Sequence, residues 1–292
     1  MIGRPTFSEQ HKRTHLALSG HPNVTIQLPS SINTNWTTLR PAYILLHGRG
    51  TGGAATMQTD WDLNGLENQS GLGAFVLAPE GTVDGSTKFW DASESCCDTG
   101  GLNPDDSTYL SNLITDLIAV GWPIDPNQTW IIGHSNGTFM GYRMICEHAN
   151  QFVGLIALSG QARSASDAAC TPSRVVNILD VHGTSDAAIA YTGGTFPGMP
   201  EAYVGSRTVG GTIEQAKGWN GCSGSITETG TGVYDHDTTV GGNETDTWAV
   251  GGCPVNGTVE HWEMVGSQHS PTPATTTFAT DIDAWARAHA RQ

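Results

Sequence analysis

Short apolar runs recur along the chain at residues 41–46, 74–78, 130–132, 152–158, 175–181 and 259–265, without polar alternation. Runs of this kind predict strands buried on both faces, as in a parallel sheet covered by helices. Between them the period changes. Tyr109, Leu110, Leu113, Ile114, Leu117 and Ile118 recur at i, i+3, i+4 and predict a helix capped by Asp105 or Asp106. Phe278, Ile282 and Trp285 mark one face of a C-terminal helix. Near the start, Val24, Ile26 and Leu28 alternate with polar residues, so 15–20 and 23–29 read as a hairpin. Strands alternating with helices predict an α/β fold, a mostly parallel central sheet flanked by helices on both faces.

One stretch gives no such signal. Residues 192–257 are rich in Gly and Thr, and predict an irregular, lid-like insertion with a short helix near 212–219 and a few exposed strands. Residues 1–14 are polar and read as loose. No linker or internal repeat interrupts 1–292, so a single domain is expected.

Composition narrows the partners. A formal charge of −15 with only three lysines, Lys12, Lys88 and Lys217, argues against nucleic acid or an anionic membrane, since phosphates would be repelled. Cys96, Cys97, Cys146, Cys170, Cys222 and Cys253 are even in number and show no paired C-x-x-C spacing, so disulfides are expected rather than zinc. Secretion, to an extracellular or periplasmic space, follows as an expectation. Residues 1–20 lack the apolar stretch of a signal peptide, so the chain reads as a mature form.

The chemistry centres on Gly133-His134-Ser135-Asn136-Gly137, where an apolar run meets a predicted helix. A G-x-S-x-G between strand and helix is the pattern of a nucleophile elbow, which raises the serine hydroxyl at a sheet edge. Serine needs a base, and the base needs an orienting acid. Asp186 follows the run at 175–181, and His269 lies between the last strand and the last helix. Asp180 competes for the acid role but sits inside an apolar run, which suits a structural carboxylate. His261, within a strand, and His289, near the chain end, read as structural or solvated. The N–H groups of Asn136 and of Arg49, in the turn after 41–46, are the candidate oxyanion donors. That turn also spells Gly48-x-Gly50-x-x-Gly53 with Glu80 beyond the next strand, a dinucleotide-binding pattern on paper. A nicotinamide-dependent dehydrogenase is therefore the rival chemistry, though it leaves Ser135, Asp186 and His269 unused. Asp235-His236-Asp237 could suggest a metal, but in a polar loop it reads as solvated, and no metal or organic cofactor is expected.

His47-Gly48, Phe89-Trp90 followed by Cys96-Cys97, the elbow with Met140, His182-Gly183-Thr184-x-Asp186 with Tyr191, and Trp219-Asn220-Gly221-Cys222 occur in this order. Together they resemble the polyhydroxybutyrate depolymerase-like esterase family, which includes feruloyl and acetylxylan esterases and has an α/β-hydrolase fold. The resemblance runs from about residue 42 to residue 269. It implies Ser135, Asp186 and His269 as the catalytic triad and a Cys222–Cys253 disulfide. Relatives usually carry glycine where this chain has Thr138, and a Trp-Pro-Gly stretch where it has Ser270-Pro271-Thr272-Pro273.

The expected function is a secreted serine carboxylic-ester hydrolase acting through an acyl-enzyme. Its ester substrate would be a polyester or ester-linked polymer fragment, such as polyhydroxyalkanoate or an aromatic polyester. The alternative is a feruloyl or acetylxylan-type carbohydrate esterase, and a catalytically silent binding protein is more remote. Trp90 is the candidate aromatic wall for such a substrate, with a core tryptophan beside a disulfide as the other reading.

Overall fold

A computed structural model describes residues 13–16, 24–33, 36–50, 52–69, 71–162, 169–273 and 277–291. Most of the stretch expected to be loose, 1–12, lies outside these residues.

Among these residues ten strands form one sheet, and its middle is parallel. β1 (Arg13–Leu16), β2 (Val24–Gln27), β3 (Arg40–Leu46), β4 (Phe75–Ala78), β7 (Ile124–His134), β8 (Gly154–Leu158), β9 (Asn177–Gly183), β12 (Ile226–Tyr234), β13 (Thr245–Val250) and β14 (Val259–Met264) line up as β1-β2-β4-β3-β7-β8-β9-β14-β13-β12. The strands from β4 to β14 in that order are parallel, and β1–β2 and β12–β13 flank them antiparallel. Two small hairpins, β5 (Thr82–Asp84) with β6 (Thr87–Phe89) and β10 (Gly193–Thr195) with β11 (Ala202–Val204), stand apart.

The apolar runs are explained by two cores. Along β3, Ala42, Ile44 and Leu46 point into one and Tyr43 and Leu45 into the other. The first core holds the buried faces of α2 (Asp106–Ala119), α3 (Asn136–His148) and α4 (Thr212–Asn220). The second holds α1 (Gly53–Asp60) and α5 (Thr277–Ala288), with Trp61, Trp130, Phe278 and Trp285 packed together. Asp105 caps α2, its carboxylate accepting from the Thr108 N–H at 3.1 Å. Pro126 falls inside β7, among the four residues that a register shift sets against the single Pro41 of β3, where its missing N–H interrupts no ladder.

The stretch 192–257 departs from the expectation of an irregular insertion. The helix at 212–219 is there as α4, but β12 and β13 continue the main sheet past β14. Along β12 partly buried and exposed positions alternate, as at a sheet edge with one wet face, and its Gly and Thr residues give no apolar run to read.

Disulfides join Cys96 to Cys97, Cys146 to Cys170 and Cys222 to Cys253. Among the described residues no helix is long and apolar enough to cross a membrane.

Candidate active site

β7 ends at His134 and α3 begins at Asn136, so Ser135 alone makes the turn, at φ 54° and ψ −120°. Few side-chain-bearing residues adopt that backbone, and a fixed surround must hold it. The surround is close. A Cβ on Gly137 would lie 1.8 Å from the Leu46 carbonyl oxygen, and one on Gly133 would lie 2.4 Å from that of Gly137. Only glycine fits at either place. The Ser135 N–H donates to the Leu158 carbonyl (2.9 Å), and the Thr138 hydroxyl lies 2.7 Å from the Gly133 carbonyl and accepts from the Leu158 N–H at 3.1 Å.

Asp186 and His269 leave the same sheet edge, past β9 and β14. The Asp186 Oδ1 accepts from the N–H groups of Ala188 and Ile189, both at 2.8 Å. Its Oδ2 lies 2.8 Å from His269 Nδ1. A carboxylate there keeps the His269 proton on Nδ1 and leaves Nε2 as the lone-pair nitrogen. Burial pushes the Asp186 carboxyl up, but hydrogen bonds from His182 and His269 more than reverse it, so it stays ionised well below the usual carboxylate range. Ser135 and His269 line one cavity of about 310 Å³, together with Gly48, Arg49, Gly53 and Asp60.

His182 was only a motif letter in the sequence, yet it supports the acid. Its ring is fully buried, with Nε2 3.1 Å from Asp186 Oδ2 and 2.8 Å from the Ile189 carbonyl. Its Nδ1 is 3.1 Å from Gln161 Nε2, and the Gln161 Oε1 accepts from the Thr212 hydroxyl at 2.7 Å. The chain from α4 to Asp186 is thus continuous. The Asp180 carboxylate is also buried, but it pairs with His261 Nδ1 at 2.8 Å, and His261 Nε2 meets the Tyr191 hydroxyl at 3.0 Å. His289 packs on Trp285. None of Asp180, His261 and His289 lines the cavity beside Ser135.

The turn after β3 is fixed by His47. Its Nε2 accepts from the Gly81 N–H (2.9 Å), so Nδ1 carries the proton and donates to the Gly48 carbonyl (2.8 Å). Glu80 lies 3.5 Å from the same Nε2, as in an ion pair. Burial outweighs that carboxylate and lowers the His47 pKa, so the ring is neutral. A trans peptide points its N–H opposite to its carbonyl, so holding the Gly48 oxygen turns the Arg49 N–H away from His47. Arg49 lines the cavity, and its exposed guanidinium donates to the Thr99 hydroxyl at 3.1 Å.

Trp90 does not form a substrate wall. Its side chain is fully buried and its indole N–H donates to the His47 carbonyl at 2.9 Å. The Asn136 side chain clamps the Trp90 backbone, accepting from its N–H at 2.7 Å and donating to its carbonyl at 3.0 Å. Trp90 therefore braces the two segments that carry the candidate oxyanion donors. The dinucleotide-like turn faces the serine instead, since a Cβ on Gly48 would lie 3.1 Å from Ser135 Cβ. Glu80, the acid of that pattern, is paired with Lys88 at 3.0 Å.

His236 and Asp237 are not solvated, as the sequence suggested; both are buried. His236 stacks on Tyr234 and meets Asp281 at 3.0 Å, because β12 carries this loop back over α5. Asp237 accepts from the Thr272 N–H at 3.2 Å and so ties down the segment after His269. Among the described residues no group of three or more His, Cys, Asp or Glu could hold a metal ion.

The fold as a whole has known counterparts. The acetyl xylan esterase from Aspergillus awamori superposes with a TM-score of 0.57 over 95% of this chain and 99% of its own, at 16% identity. The chain has an α/β-hydrolase fold. A thermostable esterase shares the same fold, with a TM-score of 0.53 over 96% of this chain and 63% of its own at 15% identity. The sequence model of the phospholipase/carboxylesterase family matches residues 100–196 of this chain, from just before α2 to past the Asp186 loop. A protein of Nocardia uniformis subsp. tsuyamanensis named as an esterase is 29% identical over 154 residues, 53% of this chain and 42% of that protein. Feruloyl esterase B of Piromyces equi is 26% identical over 163 residues, 52% of this chain and 28% of its own length. The chain thus spans less than half the length of these two relatives. A probable feruloyl esterase C of Aspergillus flavus is 25% identical over 212 residues, 68% of this chain and 70% of its own length.

Proposed function

We propose that this α/β-hydrolase is an exported serine carboxylic-ester hydrolase of the feruloyl or acetylxylan type. The observation that carries the reading is the 2.8 Å contact between His269 Nδ1 and Asp186 Oδ2, with His269 and Ser135 lining one cavity. In the proposed reaction His269 Nε2 takes the Ser135 proton as Oγ attacks the ester carbonyl carbon. The N–H groups of Asn136 and Arg49 hold the resulting oxyanion, helped by the positive end of α3. The carbonyl–alcohol bond then breaks, and the alcohol oxygen leaves with the proton from Nε2. Water gives a proton to the same nitrogen, attacks the acyl group and releases the carboxylic acid, and Ser135 regains its proton.

The carbohydrate-ester reading gains from the names of the relatives and from the cavity, where Arg49, Thr56, Asp60 and Ser270 join glycines, His134 and Met57 in the lining. The polyester reading loses its aromatic wall with the burial of Trp90. Export is supported by three disulfides, which persist in oxidising compartments. A panel of p-nitrophenyl acetate, methyl ferulate, acetylated xylan, polyhydroxybutyrate and an aromatic polyester tests the assignment, with Ser135→Ala as blank. Turnover of the first three substrates is expected. Exclusive turnover of the polyesters would overturn the carbohydrate reading, and activity surviving in the blank would overturn the mechanism.

A further inference from the structure

The cavity beside Ser135 holds one carboxylate that the proposed reaction does not use. Asp60 ends α1, and its position is set by the core, because Met57 and Trp61 on either side are buried in it. The Asp60 side chain itself is half-buried and faces the cavity with His269 and Ser270. Its one hydrogen bond among the described residues is from the Ser270 hydroxyl, at a long 3.5 Å, and no Lys or Arg there pairs with it.

Position in the cavity assigns a side of the ester. The leaving alcohol must take its proton from His269 Nε2, so the alcohol part lies on the His269 side. Asp60 is on that side, since it bonds the residue after His269 and feels the charge of His269. A carboxylate with open acceptor sites and no Lys or Arg paired to it is best satisfied by O–H donors, and it repels another carboxylate.

Resting on the hydrolase reading above, we propose that Asp60 selects the alcohol part of the ester: it accepts hydrogen bonds from free hydroxyl groups there and disfavours alcohols that carry a carboxylate. The ligand class is a partly acylated polyol such as a sugar. A hydroxy-acid unit with a free carboxylate is the class turned away. The site also has a cost in stability. Burial raises the Asp60 pKa, so keeping it charged at neutral pH works against the fold, as expected of a group placed for binding.

The test holds the acyl group fixed. Wild type, Asp60→Asn and Asp60→Ala are assayed on three acetyl esters: a mono-O-acetyl methyl xyloside, ethyl acetate and 3-acetoxybutyrate. In both variants the kcat/KM ratio of the xyloside to ethyl acetate should fall roughly tenfold or more, as for loss of hydrogen bonds to a charged group. The ratio of 3-acetoxybutyrate to ethyl acetate should rise. Asp60→Asn should melt no lower than wild type, which separates lost recognition from lost folding. Ratios unchanged within twofold in a folded Asp60→Asn would overturn the proposal while leaving the esterase intact. If wild type cleaves none of the three and a fluorophosphonate leaves Ser135 unlabelled, the hydrolase reading itself fails and this inference with it.

Discussion

His182 meets Asp186 on the oxygen that His269 also uses, with its Nε2 3.1 Å from Asp186 Oδ2. A carboxylate held by two imidazoles and two backbone N–H groups has little freedom to turn away from His269. In the proposed reaction His182 thus acts through Asp186, as a positioning residue. Its own pKa shows the coupling: burial alone would lower it, but the hydrogen bond to Asp186 and the charges of Asp180 and Asp186 raise it above the ordinary histidine value.

Replacing His182 should therefore slow turnover more than it weakens binding. His182→Leu is expected to lower kcat roughly tenfold or more with little change in KM, since a buried carboxylate loses a charge-assisted hydrogen bond. His182→Gln, whose amide N–H can stand in for Nε2–H, should recover part of the loss. Steady-state kinetics on p-nitrophenyl acetate check both, and equal rates in Leu and Gln variants would contradict the positioning role.

Thr138 stands where relatives usually carry glycine, and it has a structural reason to be there. Its hydroxyl ties the Gly133 carbonyl to the Leu158 N–H across the elbow, while a Cβ on Gly160 would fall 2.4 Å from Thr138 Cβ. Thr138→Val keeps the shape and leaves the Leu158 N–H without that acceptor. Stability should fall by about 1–3 kcal/mol in urea unfolding, the usual cost of a buried unsatisfied group.

Acid should weaken the fold through His134. Burial first, and then the charge of His269, lowers its pKa to about 3 in the folded chain. The unfolded chain binds this proton near the ordinary value of about 6.5, so it holds more protons than the folded chain between the two. Stability from neutral His134 is complete above the unfolded value and is lost as pH falls towards 3. His134→Phe should flatten the dependence of unfolding free energy on pH between 6.5 and 4, measured by urea titration at each pH.

The parts of the fold that could be read were those that bury both faces of a strand or one face of a helix. The elbow was legible because Gly133, Ser135 and Gly137 are fixed by contacts within a few residues and by Leu46 on the next strand. Asp186 and His269 followed from their order after that elbow, and the chain brings them within 2.8 Å. Trp90 was not legible, because its burial depends on Asn136, 46 residues away, and on the carbonyl of His47. The burial of His236 likewise depends on distant partners, Trp262 and Asp281, beside its near neighbour Tyr234. Exposed strands were expected in 192–257, but the bounds of β12 and β13 and their place in the main sheet were hidden for the opposite reason: a wet outer edge asks for few apolar residues. Asp60 gave no signal at all, since nothing in an exposed-looking helix end tells which groove it overlooks.

In the proposed mechanism Ser135 is a nucleophile activated by His269 and Asp186. Intact-mass analysis of the folded protein after a fluorophosphonate probe tests it most directly. The account predicts a single adduct on Ser135, absent in Ser135→Ala and formed at least a hundredfold more slowly in His269→Ala. A folded wild-type protein that takes no adduct on Ser135, or takes it equally fast without His269, would contradict it.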